Sequence, residues 1–280
     1  MLTAKLDNLK GIFQKMEKVL VAFSGGVDSA FVLKVAHSVL NKNVLALTAV
    51  SPSLAAAEKE ETIHLAQSMG VRHLLVDSHE MENPNYSANP TNRCYFCKSE
   101  LYKICQTEAS QLGISHIVDG FNVDDQSDYR PGFQAKQEYQ IRSPLLEVGL
   151  TKAEIRTLSR ELGLPTWDKP ASPCLASRIP YGIPVKPETL GKIERLEAFL
   201  KANGFKNFRV RYHEKSVRLE LSPEDISKIY QNDLRLLWIS LCKKEGFEFV
   251  TLDLEEFRSG RLNEVNKVSQ SLRDQLVKVG

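Results

Sequence analysis

The chain has 280 residues, of which 42% are hydrophobic and 26% charged, with a formal net charge of +2. This length suffices for one large domain or two unequal ones. The nearly neutral charge gives no electrostatic footprint for a long nucleic acid, so we expect none as a partner. No apolar run approaches the roughly 20 residues of a membrane helix, and the amphipathic N-terminal segment lacks the features of a secretory signal. We therefore expect a cytoplasmic protein without membrane association.

Strand and helix patterns alternate along the first 120 residues. Short runs rich in Val, Leu and Ile predict buried parallel strands at 18–23, 43–50, 72–77 and 116–120. Helical patterns separate them at 29–40, 54–69 and 96–112. This alternation predicts βαβ units, and therefore an α/β fold with a parallel sheet that helices cover on both faces.

Ligands of such sheets bind at the carboxyl ends of the strands. Residues 24–29, residues 51–53 and the segment after Gly120 all follow predicted strands, so we expect them to converge on one site. Two further stretches, 79–93 and 121–140, do not follow the alternation of strand and helix patterns and are predicted to be irregular. Long irregular stretches inside a compact domain often carry function.

The C-terminal part of the chain has a different pattern. Residues 164–187 are rich in proline and contain Cys174, and their Trp, Cys and Tyr favour an ordered connector over a flexible linker. A helix, two strands, a helix and a strand then follow, which is typical of a small α+β domain. We place the boundary near residue 180, which gives domains at 1–180 and 181–280.

The predicted elements of the second domain have clear local signals. They are a helix at 188–202, strands at 208–213 and 217–221, a helix that starts at Ser222-Pro223, and a strand at 247–254. Proline is favoured at the first position of a helix. Upstream of the connector, Thr151 and Glu154 form a capping-box pattern that predicts the start of another helix.

The loop Ser24-Gly25-Gly26-Val27-Asp28-Ser29 joins the first predicted strand to a helix. Two successive glycines let backbone N–H groups approach an anion without interference from a Cβ atom. The helix offers unpaired N–H groups and the positive end of its dipole. Asp28 could hold Mg²⁺ on a departing pyrophosphate, and the two serine hydroxyls can donate to phosphate oxygens. These features predict a pyrophosphate-binding site with Mg²⁺; a glycine turn that merely joins strand and helix is the alternative. The predicted ligand-binding residues are Ser24, Gly25, Gly26, Val27, Asp28 and Ser29.

A second polar segment, residues 120–125, follows the fourth predicted strand. Its carboxylates would cluster at the carboxyl end of the sheet, where they suit Mg²⁺. We accordingly add Gly120, Asn122 and Asp124 to the predicted pyrophosphate and magnesium site. A solvated acidic loop is the alternative.

The five cysteines form an odd set, which argues against a disulfide framework. Cys94 and Cys97 lie at the entry to a helix, where the pKa of a thiol is lowered. Cys174 lies in an irregular segment near Arg and Lys. Spacing alone leaves a redox pair, half of a zinc site, part of an iron–sulfur site and a structural role open. Cys105 and Cys242 are expected to be buried small hydrophobes.

The glycine loop resembles the pyrophosphate-binding loop of the adenine-nucleotide α-hydrolase (PP-loop) superfamily, which includes asparagine, NAD and GMP synthetases and several RNA-thiolating enzymes. The resemblance implies a Rossmann-like domain that cleaves ATP between its α and β phosphates, giving an adenylated substrate and pyrophosphate. Members similarly place a Gly-x-Asn-x-Asp-Asp segment beside the nucleotide, which residues 120–125 match. The chain lacks the Gly-Lys-Ser/Thr of kinase-type loops, which disfavours phosphoryl transfer.

Nearly the whole chain resembles the LarE family of ATP-dependent sulfur transferases, most specifically around Cys174. The matching segments are residues 24–29, 92–98, 120–125, 128–132, 174–178, 209–213 and 258–260. The resemblance implies a role in making the nickel-pincer nucleotide cofactor of lactate racemase and related enzymes. The carboxylate of a pyridinium carboxylate mononucleotide would be adenylated, and one oxygen would then be replaced with sulfur to give a thiocarboxylate.

The resemblance implies two sources for that sulfur. In one branch of the family a single cysteine, matching Cys174, surrenders its own sulfur and becomes dehydroalanine. In another branch three cysteines bind a four-iron cluster (4Fe-4S) and pass on a sulfide attached to it. This sequence has all three, at Cys94, Cys97 and Cys174, so we favour the cluster branch. The immediate sulfur donor is not revealed.

The remaining site residues follow from the resemblance and from spacing. The predicted catalytic residues are Cys174, Asp28, Ser177 and Arg178. Arg209 and Arg211 alternate on one strand and share a face, and arginine pairs bind phosphate and carboxylate. Glu197 and Glu220 resemble carboxylates of the family's site. These last four residues are the predicted substrate-binding set, for which a solvated charged face is the alternative. We also expect a homo-oligomer.

Two rival functions stay open. Some RNA-thiolating relatives also combine a CxxC pair with a distant cysteine, and they predict a basic RNA-binding surface and a salt-sensitive tRNA complex. An ammonia-dependent, amide-forming synthetase would need a glutaminase region, which the sequence does not show, and would leave three cysteines unexplained.

Overall fold

The computed structural model describes residues 2–126, 132–258 and 261. Two segments of the family resemblance, 128–132 and 258–260, lie largely outside these residues. The chain forms two compact units, Met1–Ser172 and Pro173–Gly280. The division falls slightly before residue 180, where the sequence places the domain boundary. In the described ranges, no helix has the length and apolar character needed to cross a membrane.

The sheet of the first unit is fully parallel. Its strands are β1 (Val19–Ala22), β2 (Val44–Val50), β3 (Arg72–Asp77) and β4 (His116–Val118). They lie in the order β3-β2-β1-β4, with Val19 of β1 opposite Val44 on one side and His116 on the other. The predicted α/β fold with a parallel sheet is therefore confirmed.

Eight α-helices of the described part belong to the first unit. They are α1 (Leu2–Gln14), α2 (Val27–Leu40), α3 (Ala56–Ser68), α4 (Pro84–Ser87), α5 (Arg93–Gln111), α6 (Gly132–Glu138), α7 (Pro144–Glu147) and α8 (Lys152–Glu161). Helix α8 opens with the predicted capping box, in which Thr151 and Glu154 bond each other's backbone N–H groups.

The side chains of β1 alternate between two hydrophobic cores. Val19 and Val21 belong to a large core that includes Phe31 of α2. Leu20 and Ala22 belong to a smaller core on α5. Because successive side chains of a strand point to opposite faces, this wholly buried strand needs helices on both sides of the sheet. The central position of β1 fixes the loop that follows it between the two layers.

The stretches predicted to be irregular contain short helices, so that prediction is wrong in part. Residues 79–93 include α4 and the 3₁₀ helix Glu80–Glu82, and residues 121–140 include α6 and the 3₁₀ helix Asp124–Gln126. Helix α4 forms because Asn83 caps it, accepting from the Asn85 amide at 3.0 Å, and Pro84 occupies its first position. A single turn of helix is too short to give a periodic hydrophobic signal.

The second unit is an α+β structure, as predicted. Its elements are the 3₁₀ helix Leu175–Arg178, α9 (Pro187–Ala202), β5 (Phe208–His213), β6 (Ser216–Leu221), α10 (Pro223–Lys228), α11 (Leu234–Lys244) and β7 (Phe249–Leu252). Strand β6 lies between β5, which is antiparallel to it, and β7, which is parallel. Two helices replace the single one predicted after Ser222, because Asn232 and Asp233 adopt positive φ angles of 48° and 59° and interrupt the helical path.

Candidate functional site

Residues 24–29, here called the pyrophosphate loop, turn the chain from β1 into α2. Gly25 has a φ of +69°, and a Cβ atom there would lie 2.7 Å from Cγ2 of Thr62, so both conformation and space require glycine. The hydroxyls of Ser24 and Ser29 are 3.1 Å apart, and Ser29 also donates to the carbonyl of Gly26 at 3.2 Å. These local bonds hold the turn in shape.

The start of α2 is suited to an anion. Gly26 is its extended N-cap residue, and no side chain of the described part caps the helix there. The first N–H groups of a helix have no partner within it. Since no side chain satisfies them, they remain available to phosphate oxygens, which the helix dipole also favours.

Gly120 brings the segment after β4 against this helix start. A Cβ atom at residue 120 would lie 2.7 Å from the backbone nitrogen of Ser29 and 3.0 Å from the carbonyl carbon of Asp28. The close approach is possible only because the residue has no side chain. The structure therefore brings the two predicted nucleotide segments together at the carboxyl ends of β1 and β4.

A ring of four polar residues links these segments to α8. Asn122 donates to Asp28 at 3.2 Å and accepts from the backbone amide of Asp124 at 2.9 Å. The carboxylate of Asp124 accepts from the backbone amide of Lys152 at 2.5 Å. The Lys152 ammonium completes the ring by pairing with Asp28. Two carboxylates and one cation thus lie directly beside the pyrophosphate loop.

Sequence reasoning missed Lys152. A lysine in the first turn of a helix opposes the helix dipole, and this residue follows the N-cap Thr151. A cation at this unfavourable position indicates that the side chain pairs with a group outside its own helix, and this signal could have identified Lys152. Its carboxylate partner, Asp28, lies 124 residues earlier in the chain, which explains why spacing did not reveal the pair.

The third predicted segment, residues 51–53, follows β2, the neighbour of β1. The hydroxyls of Ser51 and Ser53 both donate to one oxygen of Glu80, at 2.6 and 2.5 Å. Glu80 is only 4% exposed, so these two donors replace the water that a buried carboxylate loses. Glu80 is a second residue that the sequence did not single out.

Three cysteines remain accessible. Cys94 is exposed and Cys97 partly exposed in the first turns of α5, and residues three apart share a helix face. Cys174 is partly exposed and directly precedes the 3₁₀ helix Leu175–Arg178. Within the described residues, no three His, Cys, Asp or Glu side chains are grouped for a metal ion. The three-cysteine site therefore stays a prediction.

The other two cysteines are buried, as predicted. Cys105 on α5 faces the smaller core and Cys242 lies in α11, and both are fully shielded from solvent. Burial raises the pKa of each thiol to about 12. Neither forms a thiolate at neutral pH.

In the second unit Arg178 fixes the backbone around Cys174. Its guanidinium makes a two-bond contact with Glu197, at 2.9 and 2.8 Å. The same side chain donates to the carbonyl of Cys174 at 3.1 Å and to the hydroxyl of Ser177 at 3.0 Å. A buried, bidentate ion pair has a defined geometry, so Glu197 and Arg178 act together as a support for the cysteine segment.

Strand β5 carries two buried arginines with different partners. Arg211 pairs with Glu220 at 3.0 Å and donates to the carbonyl of Ser177 at 2.9 Å. Arg209 is 6% exposed and stacks on Phe257 with 4.9 Å between guanidinium and ring centre. Within the described part of the chain its guanidinium makes no hydrogen bond or ion pair. Burial, reinforced by neighbouring arginine charge, lowers its pKa to about 10.

The comparisons with known proteins agree with this geometry. Residues 3–92 match the NAD synthase family model. A Synechocystis protein of uncharacterised function is 49% identical over 95% of this chain and 99% of its own length. The pyridinium-3,5-bisthiocarboxylic acid mononucleotide synthase of Lactiplantibacillus plantarum is 34% identical over 94% of this chain and 95% of its own. An uncharacterised Methanocaldococcus jannaschii protein is 30% identical over 90% of this chain and 95% of its own.

Proposed function

The chain belongs to the LarE family of ATP-dependent sulfur transferases, and we propose that it converts a carboxylate of a pyridinium carboxylate mononucleotide into a thiocarboxylate for nickel-pincer nucleotide biosynthesis. The observation that carries the proposal is the convergence of the pyrophosphate loop, Gly120 and the ring around Asp28 at one edge of the sheet. This edge is where a parallel sheet binds its ligand. The Lactiplantibacillus relative, which matches along nearly the whole chain, supports the substrate class.

The first proposed step is adenylation. A substrate carboxylate oxygen attacks the α-phosphorus of ATP, the bond to the bridging oxygen breaks, and pyrophosphate leaves with that electron pair. The first-turn amides of α2 and the hydroxyls of Ser24 and Ser29 bind the departing pyrophosphate. The step is needed because a carboxylate alone would have to expel oxide, whereas its adenylate expels AMP.

The ring around Asp28 fits a nucleotide-bound magnesium ion. Magnesium usually takes one or two carboxylates and completes its shell with phosphates and water, and the carboxylates of Asp28 and Asp124 both lie in the ring. When bound, the ion would neutralise pyrophosphate charge. Lys152, released from Asp28, would then donate to the phosphate oxygens.

The second proposed step delivers sulfur. A sulfur nucleophile attacks the carbonyl carbon of the adenylate and AMP leaves with the bonding electrons. Sulfide gives the thiocarboxylate directly; the Cys174 thiolate gives a thioester, and loss of the Cα proton with cleavage of the Cβ–S bond then releases the thiocarboxylate and leaves dehydroalanine. Cys174 is the residue that presents this sulfur, because it is accessible and its backbone is held by Arg178. When bound by Cys94, Cys97 and Cys174, a four-iron cluster would supply a labile sulfide. The shared helix face of Cys94 and Cys97 supports two of these three ligands.

Arg209 is proposed to bind the substrate phosphate. Among the described residues the guanidinium of Arg209 forms no ion pair, and the nearby carboxylates of Glu197 and Glu220 do not offset its burial, so a bound anion would stabilise it. Arg211 differs, because Glu220 already neutralises it. Glu197, Glu220 and Arg211 accordingly shape the site, and of the two arginines on β5 it is Arg209 that is available to a ligand. A homo-oligomer remains our expectation, to be checked by light scattering.

The sulfur source can be decided with the intact enzyme. Anaerobic reconstitution with iron and sulfide should give a brown protein, and Cys94→Ala, Cys97→Ala or Cys174→Ala should each remove the colour. Under the sacrificial route, Cys174 alone matters, and the protein loses the mass of one hydrogen sulfide per turnover as dehydroalanine forms. A colourless wild-type protein with that mass loss would overturn the cluster proposal. If the enzyme forms no thiocarboxylate either with or without reconstitution with iron and sulfide, the proposed function itself is wrong.

A further inference from the structure

One carboxylate, that of Glu58 in α3, binds two residues of the chain just before Cys174. One oxygen of Glu58 accepts from the ammonium of Lys169 at 2.8 Å, and the other accepts from the hydroxyl of Ser172 at 2.9 Å. Lys169 and Ser172 are the last two polar residues before Cys174. The first unit therefore holds the approach to the cysteine segment at two points through a single side chain.

The contact with Lys169 is well shielded from solvent. The side chains of Lys169 and Glu58 are 16% and 12% exposed. The same ammonium pairs with Glu61 at 2.6 Å and lies 3.5 Å from the carbonyl of Gly25. Burial lowers the pKa of Lys169, but the bonds to both glutamates outweigh it and the net shift is upward. The lysine is therefore charged at neutral pH, and loss of Glu58 would leave it partly uncompensated.

Helix α3 also contacts the pyrophosphate loop. Thr62 lies one turn after Glu58 and hence on the same face of the helix. Its methyl group is the atom that a Cβ at Gly25 would meet at 2.7 Å. One face of α3 therefore packs against the loop and binds Lys169 and Ser172, so the position of the loop and the start of the cysteine segment depend on the same helix.

We propose that Glu58 is a positioning residue for sulfur transfer, holding Lys169 and Ser172 on α3 so that the segment bearing Cys174 starts from a fixed point beside the ATP-binding loop. The inference rests on the proposed role of Cys174. Only Pro173 separates Ser172 from Cys174, and proline restricts both its own φ and the residue before it. Fixing Ser172 thereby restricts where the thiol can go. Adenylation should depend much less on Glu58, because without it Lys169 keeps its pair with Glu61 and its contact with the carbonyl of Gly25 in the pyrophosphate loop.

The test separates the two half-reactions in the full-length enzyme. Glu58→Gln keeps the shape of the side chain but removes its charge. Substrate-dependent exchange of pyrophosphate into ATP, which reports adenylation, should stay within about twofold of wild type, while thiocarboxylate formation should fall about tenfold or more, as misplacement of a reacting group predicts. Hydrogen exchange of residues 166–174 should become faster. Glu60→Gln, an equal charge change at an exposed site on the same helix, should leave all three measurements unchanged.

Each outcome decides the inference. If Glu58→Gln leaves the rates of adenylation and thiocarboxylate formation unchanged, or lowers both equally, the inference is wrong. Should that variant fail to fold, Ser172→Ala removes only one bond and must show the same selective loss. If wild-type enzyme forms no thiocarboxylate, the proposed function fails, and unchanged hydrogen exchange in Glu58→Gln would separately show that Glu58 does not hold the segment.

Discussion

The ammonium of Lys152, at the first position of α8, pairs with the carboxylate of Asp28 in the first turn of α2. The pair joins segments that lie 124 residues apart. It keeps a cation beside the pyrophosphate loop while occupying the carboxylate that magnesium would use. When nucleotide and metal bind, this ion pair would therefore separate. Magnesium would bind the carboxylate of Asp28, and the phosphates would bind the ammonium of Lys152.

Lys152→Met should leave the fold intact but slow adenylation by about 100-fold, because a charge that stabilises the leaving pyrophosphate contributes several kcal/mol to the transition state. The measurement is the rate of substrate-dependent AMP formation. Lys5 offers a matched control, since it also forms a part-exposed ion pair, with Glu154 of the same helix. Lys5→Met should lower stability slightly and leave the rate unchanged; equal rates in both variants would rule out a role for Lys152.

The two loop glycines should respond differently to alanine. Gly25→Ala places a methyl group 2.7 Å from Thr62 on a backbone with positive φ, which should destabilise the fold by about 1–3 kcal/mol. In Gly26→Ala the new Cβ meets only the Ser24 hydroxyl, at 3.5 Å, so stability should be nearly unchanged while ATP affinity falls. Thermal unfolding with and without ATP distinguishes the two, and normal ATP binding by Gly26→Ala would argue that phosphate does not approach this turn.

Arg209 should lower the free energy of unfolding of the protein when no anion is bound. Its cation is buried and unpaired among the described residues, so Arg209→Met should raise the free energy of unfolding by about 1–3 kcal/mol while weakening substrate binding. Arg211→Met should instead destabilise the protein, because it removes the 3.0 Å bond to the buried Glu220 and the 2.9 Å bond to the carbonyl of Ser177, although Arg218 stays 3.3 Å from Glu220. Thermal melts of the two variants provide the comparison. A destabilised Arg209→Met protein with full substrate affinity would contradict the assignment.

Substrate affinity should also depend on pH through Arg209. Anion binding favours the protonated guanidinium, and the pKa of this group is lowered to about 10. Affinity is therefore nearly complete when the pH is a full unit or more below that value, and it is lost as the pH rises through it. Calorimetric titration with the substrate from pH 8 to 11 should show this decline in wild type. The same decline in Arg209→Met would assign it to another group.

Thiol reagents should distinguish the accessible cysteines from the buried ones. Cys94, Cys97 and Cys174 are at least partly exposed, whereas Cys105 and Cys242 are fully buried with the pKa of each thiol raised to about 12. Because the thiolate is the reactive form, iodoacetamide should label the first three in folded protein that carries no cluster, and all five after unfolding. Peptide mass spectrometry locates the label. Native labelling of Cys105 or Cys242 would contradict the packing of α5 or α11.

Local sequence signals predicted the secondary structure well wherever the hydrophobic pattern was unambiguous. Strand β3 and strand β5 have the bounds expected from the sequence, and Thr151 forms its capping box. The glycine loop was recognisable because its residues are adjacent in the chain. Short helices such as α4 escaped detection, since one turn depends on a cap and not on periodicity.

Residues of the site that depend on distant partners could not be predicted in the same way. Glu58 meets Ser172 across 114 residues, and Ser51 meets Glu80 across 29. A glutamate in a polar helix has the same local pattern whether it faces solvent or a buried lysine. Only the packing of α3 on the sheet decides between these cases, and packing is a property of the whole first unit.

The most direct test of the account is to identify the products of ATP in a single turnover with the pyridinium carboxylate mononucleotide and a sulfur source. The account predicts AMP and pyrophosphate in equal amounts, one of each per thiocarboxylate formed, and none in Asp28→Asn. Formation of ADP and phosphate, or AMP formation that survives in Asp28→Asn, would contradict it.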